Sequence, residues 1–211
     1  MIKEVCVENF TNIPAAVQAG ANRIELNDNL AVGGTTVSKG VMAAAAAYTR
    51  EAGIPLVAMI RPRGGDFVYT DEEIAMMIGD LRTAKECGVP SVTFCAVTPA
   101  GRLDVVAIQE LLDAAQPLEV VCHMGFDAIN LGDQQEAMNW LIAHGVQRIL
   151  THGGPMSASI TDNLPQLKAL VEMADDRIEI LPGGGITAAN VDEIVATLHV
   201  TQAHGTKIID Y

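Results

Sequence analysis

The chain has no apolar stretch near the roughly 18 uninterrupted residues of a membrane-spanning helix. Its first ten residues, MIKEVCVENF, lack the basic region, long apolar region and small-residue cleavage site of a secretory signal. A cytoplasmic location with no membrane partner is the expectation. Basic residues are scarce: 13 Lys and Arg stand against 26 Asp and Glu, a formal net charge of −13, and none cluster beyond Arg61 and Arg63. Such a surface repels phosphate backbones and anionic lipid, so no nucleic-acid partner is expected. Cysteine is sparse too. Cys6, Cys87, Cys95 and Cys122 form no C-x-x-C pair, which argues against a zinc ribbon or a disulfide framework and suits a reducing compartment. The nine methionines include no Met-x-Met run and read as core.

What the chain does have is apolar mass and repetition. Hydrophobic residues make up 49% of its 211 positions, enough to fill one core, and residues 1–211 are read as a single domain. AGANRIEL, AGIPLVAMI, CGVPSVTF and HGVQRILT share one form: a glycine, two or three linking residues, then a short apolar or alternating run. The glycines, at 20, 53, 88 and 145, each follow an amphipathic stretch, where a left-handed residue ends a helix. QPLEVVCH fills the longest gap as a unit without its glycine. Helix starts recur as well. Thr70 with Glu73 forms a capping box, Ser38 and Thr187 suit N-caps, and Asn12 precedes Pro14.

The pattern predicts strands at 2–7, 23–27, 56–61, 91–95, 118–123, 148–152, 178–181 and 200–204. Helices are predicted at 12–19, 39–52, 71–87, 104–115, 131–144, 162–174 and 188–197. Strict alternation demands a parallel sheet with right-handed crossovers. The fold expected is α/β, a TIM-type (β/α)8 barrel lacking the final outer helix; a doubly wound open sheet is the alternative. A missing eighth helix bares apolar wall beside the last and first strands. Either a second subunit, making a homo-oligomer, or a rearranged segment is expected to cover it.

Barrels of this kind work at the C-terminal ends of their strands. Strand alternation turns Glu4, Cys6 and Glu8 inward, with Arg23, Glu25 and Asn27 beside them. Arg61, Cys95, His123, His152 and His204 close strands 3, 4, 5, 6 and 8. Core filling alone would place Val, Ile and Leu there, so the polar set implies an ion-pair network, a ligand site or both. IRPRGGDF follows strand 3, and Arg61 and Arg63 offer planar donor forks to a carboxylate or phosphate. In the structural alternative Arg61 pairs with Glu25 or Glu4 and Asp66 braces the loop. Gly183, Gly184 and Gly185 precede a helix, and Lys207 follows strand 8 near His204; both loops are common phosphate sites in barrels. His123 is the acid–base candidate, beside Glu8 and Glu25. Asp127 either orients it or caps the next helix. Cys122 and Cys87 are read as small buried hydrophobes.

The segments EVCVEN, NRIEL, AVGGTT, IRPRGGDFVYTDEE, CHMGFD, RILTHGG and LPGGGI together resemble the CutC family, named for copper homeostasis. The resemblance spans almost the whole chain and implies a cytoplasmic, self-associating TIM-type barrel. It also implies copper as cofactor or cargo, as Cu(I), with Cys6 and Cys95 as the thiols on hand. Two departures stand out. Asn27 occupies a position where many members carry a cysteine, and Met124 one where they carry arginine. Two functions are therefore carried forward: Cu(I) binding at the barrel mouth, or an enzyme acting on a small anionic or phosphorylated metabolite, with Arg61 and Arg63 on the anion, the glycine loops on a phosphate, and Glu8, Glu25 or His123 moving protons.

Overall fold

A computed structural model describes residues Met1 to Tyr211. Strands β1 (Ile2–Glu8), β2 (Arg23–Asn27), β3 (Leu56–Met59), β4 (Ser91–Phe94), β5 (Glu119–Cys122), β6 (Arg148–Thr151), β7 (Glu179–Pro182) and β8 (Gln202–Gly205) alternate with seven helices. These are α1 (Ile13–Gln18), α2 (Lys39–Ala52), α3 (Asp71–Cys87), α4 (Val105–Ala115), α5 (Gln134–Ala143), α6 (Leu164–Ala174) and α7 (Val191–Leu198). All strand pairings are parallel, in the order β7-β6-β5-β4-β3-β2-β1-β8. The fold is a (β/α)8 barrel without its last outer helix.

The predicted punctuation explains most element ends. Thr70 and Glu73 satisfy each other's orphan amides at the start of α3, and Ser38 accepts from the Val41 amide at the start of α2. Gly53 and Gly88 take the left-handed conformation that closes α2 and α3. Thr187 is not a cap. The Asn190 side chain accepts from the Thr187 amide, Thr187 bridges to Lys207, and α7 starts only at Val191. The segment expected to open α5 at 131 is instead a separate 3-10 turn, Leu131–Asp133.

β7 and β8 are the two ends of the sheet and share no ladder. The seam between them is crossed by other means. Gln202 donates to Glu179, and the Ala188 amide donates to the Lys207 carbonyl at 2.8 Å. The bared wall has its cover in a rearranged segment: Ile208 and Ile209, after β8, are buried in the same apolar cluster as Val5 and Val7 of β1. A second, small cluster of Val57, Val121, Leu150 and Leu181 sits apart from this helix-facing core. Alternation places those four inside the barrel. The interior is therefore divided, apolar beside β3 and β5–β7 and charged beside β1, β2 and β8.

Candidate functional site

The charged half starts from the ladders. Register pairs Glu4 with Arg23 on one side and with His204 on the other, so three buried polar side chains lie abreast. Arg23 forms an ion pair with Glu4 and donates to Gln202 at 2.6 Å. His204 Nδ1 lies 2.8 Å from Glu4 Oε1, and its Nε2 lies 3.8 Å from Glu25 Oε2. One level up, Asn27 Nδ2 donates to Glu25 Oε2 at 2.8 Å and meets Cys6 Sγ at 3.4 Å.

The electrostatics follow from burial and neighbours. Burial pushes Glu4 up, but the hydrogen bonds and charges of His204 and Arg23 bring it down to about 2. Burial works against a charged His204, yet Glu25, Cys6 and Glu4 hold its pKa well above the usual imidazole value. Glu25 is raised by burial, with the Glu4 charge adding to that and His204 opposing it. Burial and the Glu25 charge push the Cys6 thiol up to about 11. Burial and the Glu25 charge thus favour the protonated Cys6 thiol, and the two carboxylates favour a charged His204 ring.

Above this cluster opens a cavity of about 400 Å³ at the C-terminal ends of the strands, lined in part by Cys6, Glu25, Asn27, Arg61, His123 and His204. Arg61 lies two residues beyond the end of β3 at Met59 rather than in the strand, and it pairs with no carboxylate. Its Nη1 donates to the Val32 and Gly34 carbonyls, both at 3.0 Å, and its Nη2 to Gly65 at 2.7 Å, while the guanidinium stacks on Phe67. It ties the loop after β2 to the loop after β3. His123 Nδ1 accepts from the Gly125 amide at 3.0 Å, which fixes the proton of the neutral ring on Nε2. Burial and the Arg61 charge press its pKa down to about 3.

Other expected site residues lie elsewhere. Arg63 and Asp66 are outside the cavity lining; Arg63 pairs with Asp66 at 3.0 Å and with Glu73, and donates to Val68 at 2.8 Å, which makes the pair a brace for its own loop. Glu8 is exposed and accepts from the Leu30 amide at 2.6 Å, anchoring the loop after β2. Asp127 neither orients His123 nor caps a helix. It accepts from the amides of His152 at 2.8 Å and Gly153 at 3.1 Å, clamping the end of β6. His152 turns away from the cavity toward the carbonyls of Gly183 and Ala158. Cys95 is absent from the cavity lining; it is fully buried, and its thiol adjoins that of Cys122, whose pKa is raised well above the usual value by that contact and by burial.

Gly184, Gly185 and Lys207 do line the cavity. Gly183 lies just behind it, where a Cβ would meet Met124 and Leu150, each at 2.7 Å. Glu4 and Asn27 stood outside the expected ligand set, as did the thioethers of Met59, Met124 and Met156; all but Glu4 line the cavity. Alternation already turned Glu4 and Asn27 inward. Met124 was marked only as a departure from the family's arginine, and Met59 and Met156 carried no signal because each comes from a different segment.

A nearly closed parallel barrel with acid–base groups, a thiol and a cavity at its C-terminal rim defines the class: a (β/α)8 protein whose cavity lies where such barrels carry their sites. The sequence model of the CutC family matches residues 1–209, and the chain belongs to that family. A family protein CutC from Enterococcus faecalis is 51% identical over 99% of this chain and 100% of its own length. The human copper homeostasis protein cutC homolog is 39% identical, over 96% of this chain and 72% of its own. The crystal structure of a CutC protein from Streptococcus agalactiae superposes with a TM-score of 0.95 at 45% identity, covering 99% of both chains.

Proposed function

We propose that this chain takes part in copper homeostasis, the role in the name of its human relative, and that it does so in the cytoplasm by holding Cu(I) between Cys6 and His204. The observation that carries this reading is a distance: Cys6 Sγ, a Glu25 carboxylate oxygen and a ring nitrogen of His204 all lie within 4.8 Å of one another. Metal–thiolate and metal–imidazole bonds of roughly 2.3 and 2.0 Å end to end match that gap. Thiolate and neutral imidazole are donors Cu(I) accepts, so binding displaces the Cys6 thiol proton and the Nε2 proton of His204 to solvent, whereas the carboxylate is a harder ligand. Glu4 holds His204 Nδ1 at 2.8 Å, the outer-shell arrangement that aims Nε2 at a metal. Cys95 is no part of this set.

A competition titration of reduced protein against a chromogenic Cu(I) chelator tests it. Stoichiometric binding is expected in the wild type and in Cys95→Ser, and its loss in Cys6→Ser and His204→Gln. Binding that survives Cys6→Ser, or no binding in the wild type, sinks the copper reading.

A further inference from the structure

Three buried polar atoms around the cavity have no hydrogen-bond partner: Asn27 Oδ1, Arg61 Nε and His123 Nε2. All three residues line the cavity, and their relative exposures are 1%, 3% and 3%. An unmade hydrogen bond at such depth costs about 1–3 kcal/mol. Asn27 Oδ1 is packed against Gly34, and Arg61 lies within reach of the Tyr69 hydroxyl, which leaves His123 Nε2 as the orphan a ligand would satisfy. It is a donor, because the Gly125 amide occupies His123 Nδ1 and leaves the proton on Nε2. A ligand oxygen such as a carbonyl serves it.

The opposite rim has the complementary vacancy. The amides of Gly184, Gly185 and Ile186 find no acceptor in the protein, and these residues line the same cavity. Lys207 stands on that rim, exposed, with no carboxylate partner. Glycine is required here for close approach: a Cβ on Gly184 would lie 2.6 Å from the His152 ring. Consecutive free amides beside an ammonium are a phosphate cradle.

We propose that the barrel mouth binds a small phosphorylated carbonyl metabolite, its phosphate on the Gly184–Ile186 amides and Lys207 and its carbonyl oxygen on His123. This goes beyond copper handling and uses different atoms, so either assignment stands or falls without the other.

The test is calorimetric titration of chelator-treated protein with inorganic phosphate, dihydroxyacetone phosphate and ribose 5-phosphate at constant ionic strength. Phosphate is expected to bind saturably, and at least one ester at least tenfold tighter. Lys207→Met, at an exposed position where folding is not at risk, should weaken all three by tenfold or more. His123→Phe should erase the advantage of the ester and leave phosphate binding in place, and Cys6→Ser should change neither. No saturable phosphate binding, no ester tighter than phosphate, or full affinity in Lys207→Met overturns the proposal.

Discussion

His204 and Glu4 are ladder partners on adjacent strands, and their side chains meet at 2.8 Å inside the barrel. Together with Arg23 they make a buried charge network that joins β8 to β1 and β2. Removing one member of such a network leaves an uncompensated charge, a loss of about 3–5 kcal/mol. His204→Ala is therefore expected to lower the melting temperature by roughly 6–20 °C, at about 2–4 °C per kcal/mol for a chain of this size.

The pH dependence of that loss has a defined sign. His204 has a folded pKa raised well above 6.5, so its contribution is complete below 6.5 and disappears as pH climbs through the folded value. Glu4, lowered to about 2 from 4.5, contributes fully above 4.5 and loses its contribution between 4.5 and 2 as pH falls. Urea unfolding across pH should show the gap between wild type and His204→Ala widest between those two unfolded values. A gap that grows with alkaline pH would contradict the imidazolium assignment.

Thiol chemistry reports on the same cluster. Cys6, Cys95 and Cys122 are buried, and only Cys87 is partly exposed. The Cys6 thiol is pushed up to about 11, so at pH 8 about one molecule in a thousand carries its thiolate. A disulfide reagent should titrate one thiol quickly in the native protein and four after denaturation. Fast modification of Cys6 in the native state would mean that the mouth is open and its thiol ionised.

The rim at the barrel seam tolerates no side chain at position 205. A Cβ on Gly205 would sit 2.4 Å from the Ile186 carbonyl oxygen, while one on the exposed Gly79 in α3 would meet nothing within 4 Å. Gly205→Ala should cost about 1–3 kcal/mol through forced backbone shifts. Gly79→Ala should stabilise by about 0.5–1 kcal/mol, since alanine is the better helix former. Paired chemical denaturation of the two variants checks both signs at once.

Much of this architecture was legible in the sequence, and what escaped has physical reasons. Glycine and capping signals act locally, so they placed the elements, and period-two alternation correctly turned Glu4, Cys6, Glu25 and Asn27 inward. Alternation failed past the strand ends. Cys95 and His152 leave the regular pleat there, and the loop backbone decides where their side chains go. Glu8, the last residue of β1, is still in the ladder but is drawn outward to the Leu30 amide. Arg63, Asp66 and Asp127 look like ligand or catalytic residues in one dimension because charges that hold loops and charges that hold substrates are chemically the same. Only partner geometry separates them: Asp127 spends its lone pairs on two backbone amides, whereas His123 keeps one nitrogen free.

Position 27 gives the sharpest test of the copper reading. Asn27 Nδ2 lies 3.4 Å from Cys6 Sγ, so a thiol introduced by Asn27→Cys would reach the space between Cys6 and His204. Adding a second soft donor at bonding distance should tighten Cu(I) binding by about 100-fold or more, since thiolates are the ligands that select this ion. The same change leaves His123, Lys207 and the Gly184–Ile186 amides in place, so it should leave ester and inorganic phosphate binding unaffected. Parallel titrations of Asn27→Cys with the Cu(I) chelator and with ribose 5-phosphate would separate the two uses of the cavity. Cu(I) affinity unchanged by a second thiol so near Cys6 would place any copper ligand set outside this mouth.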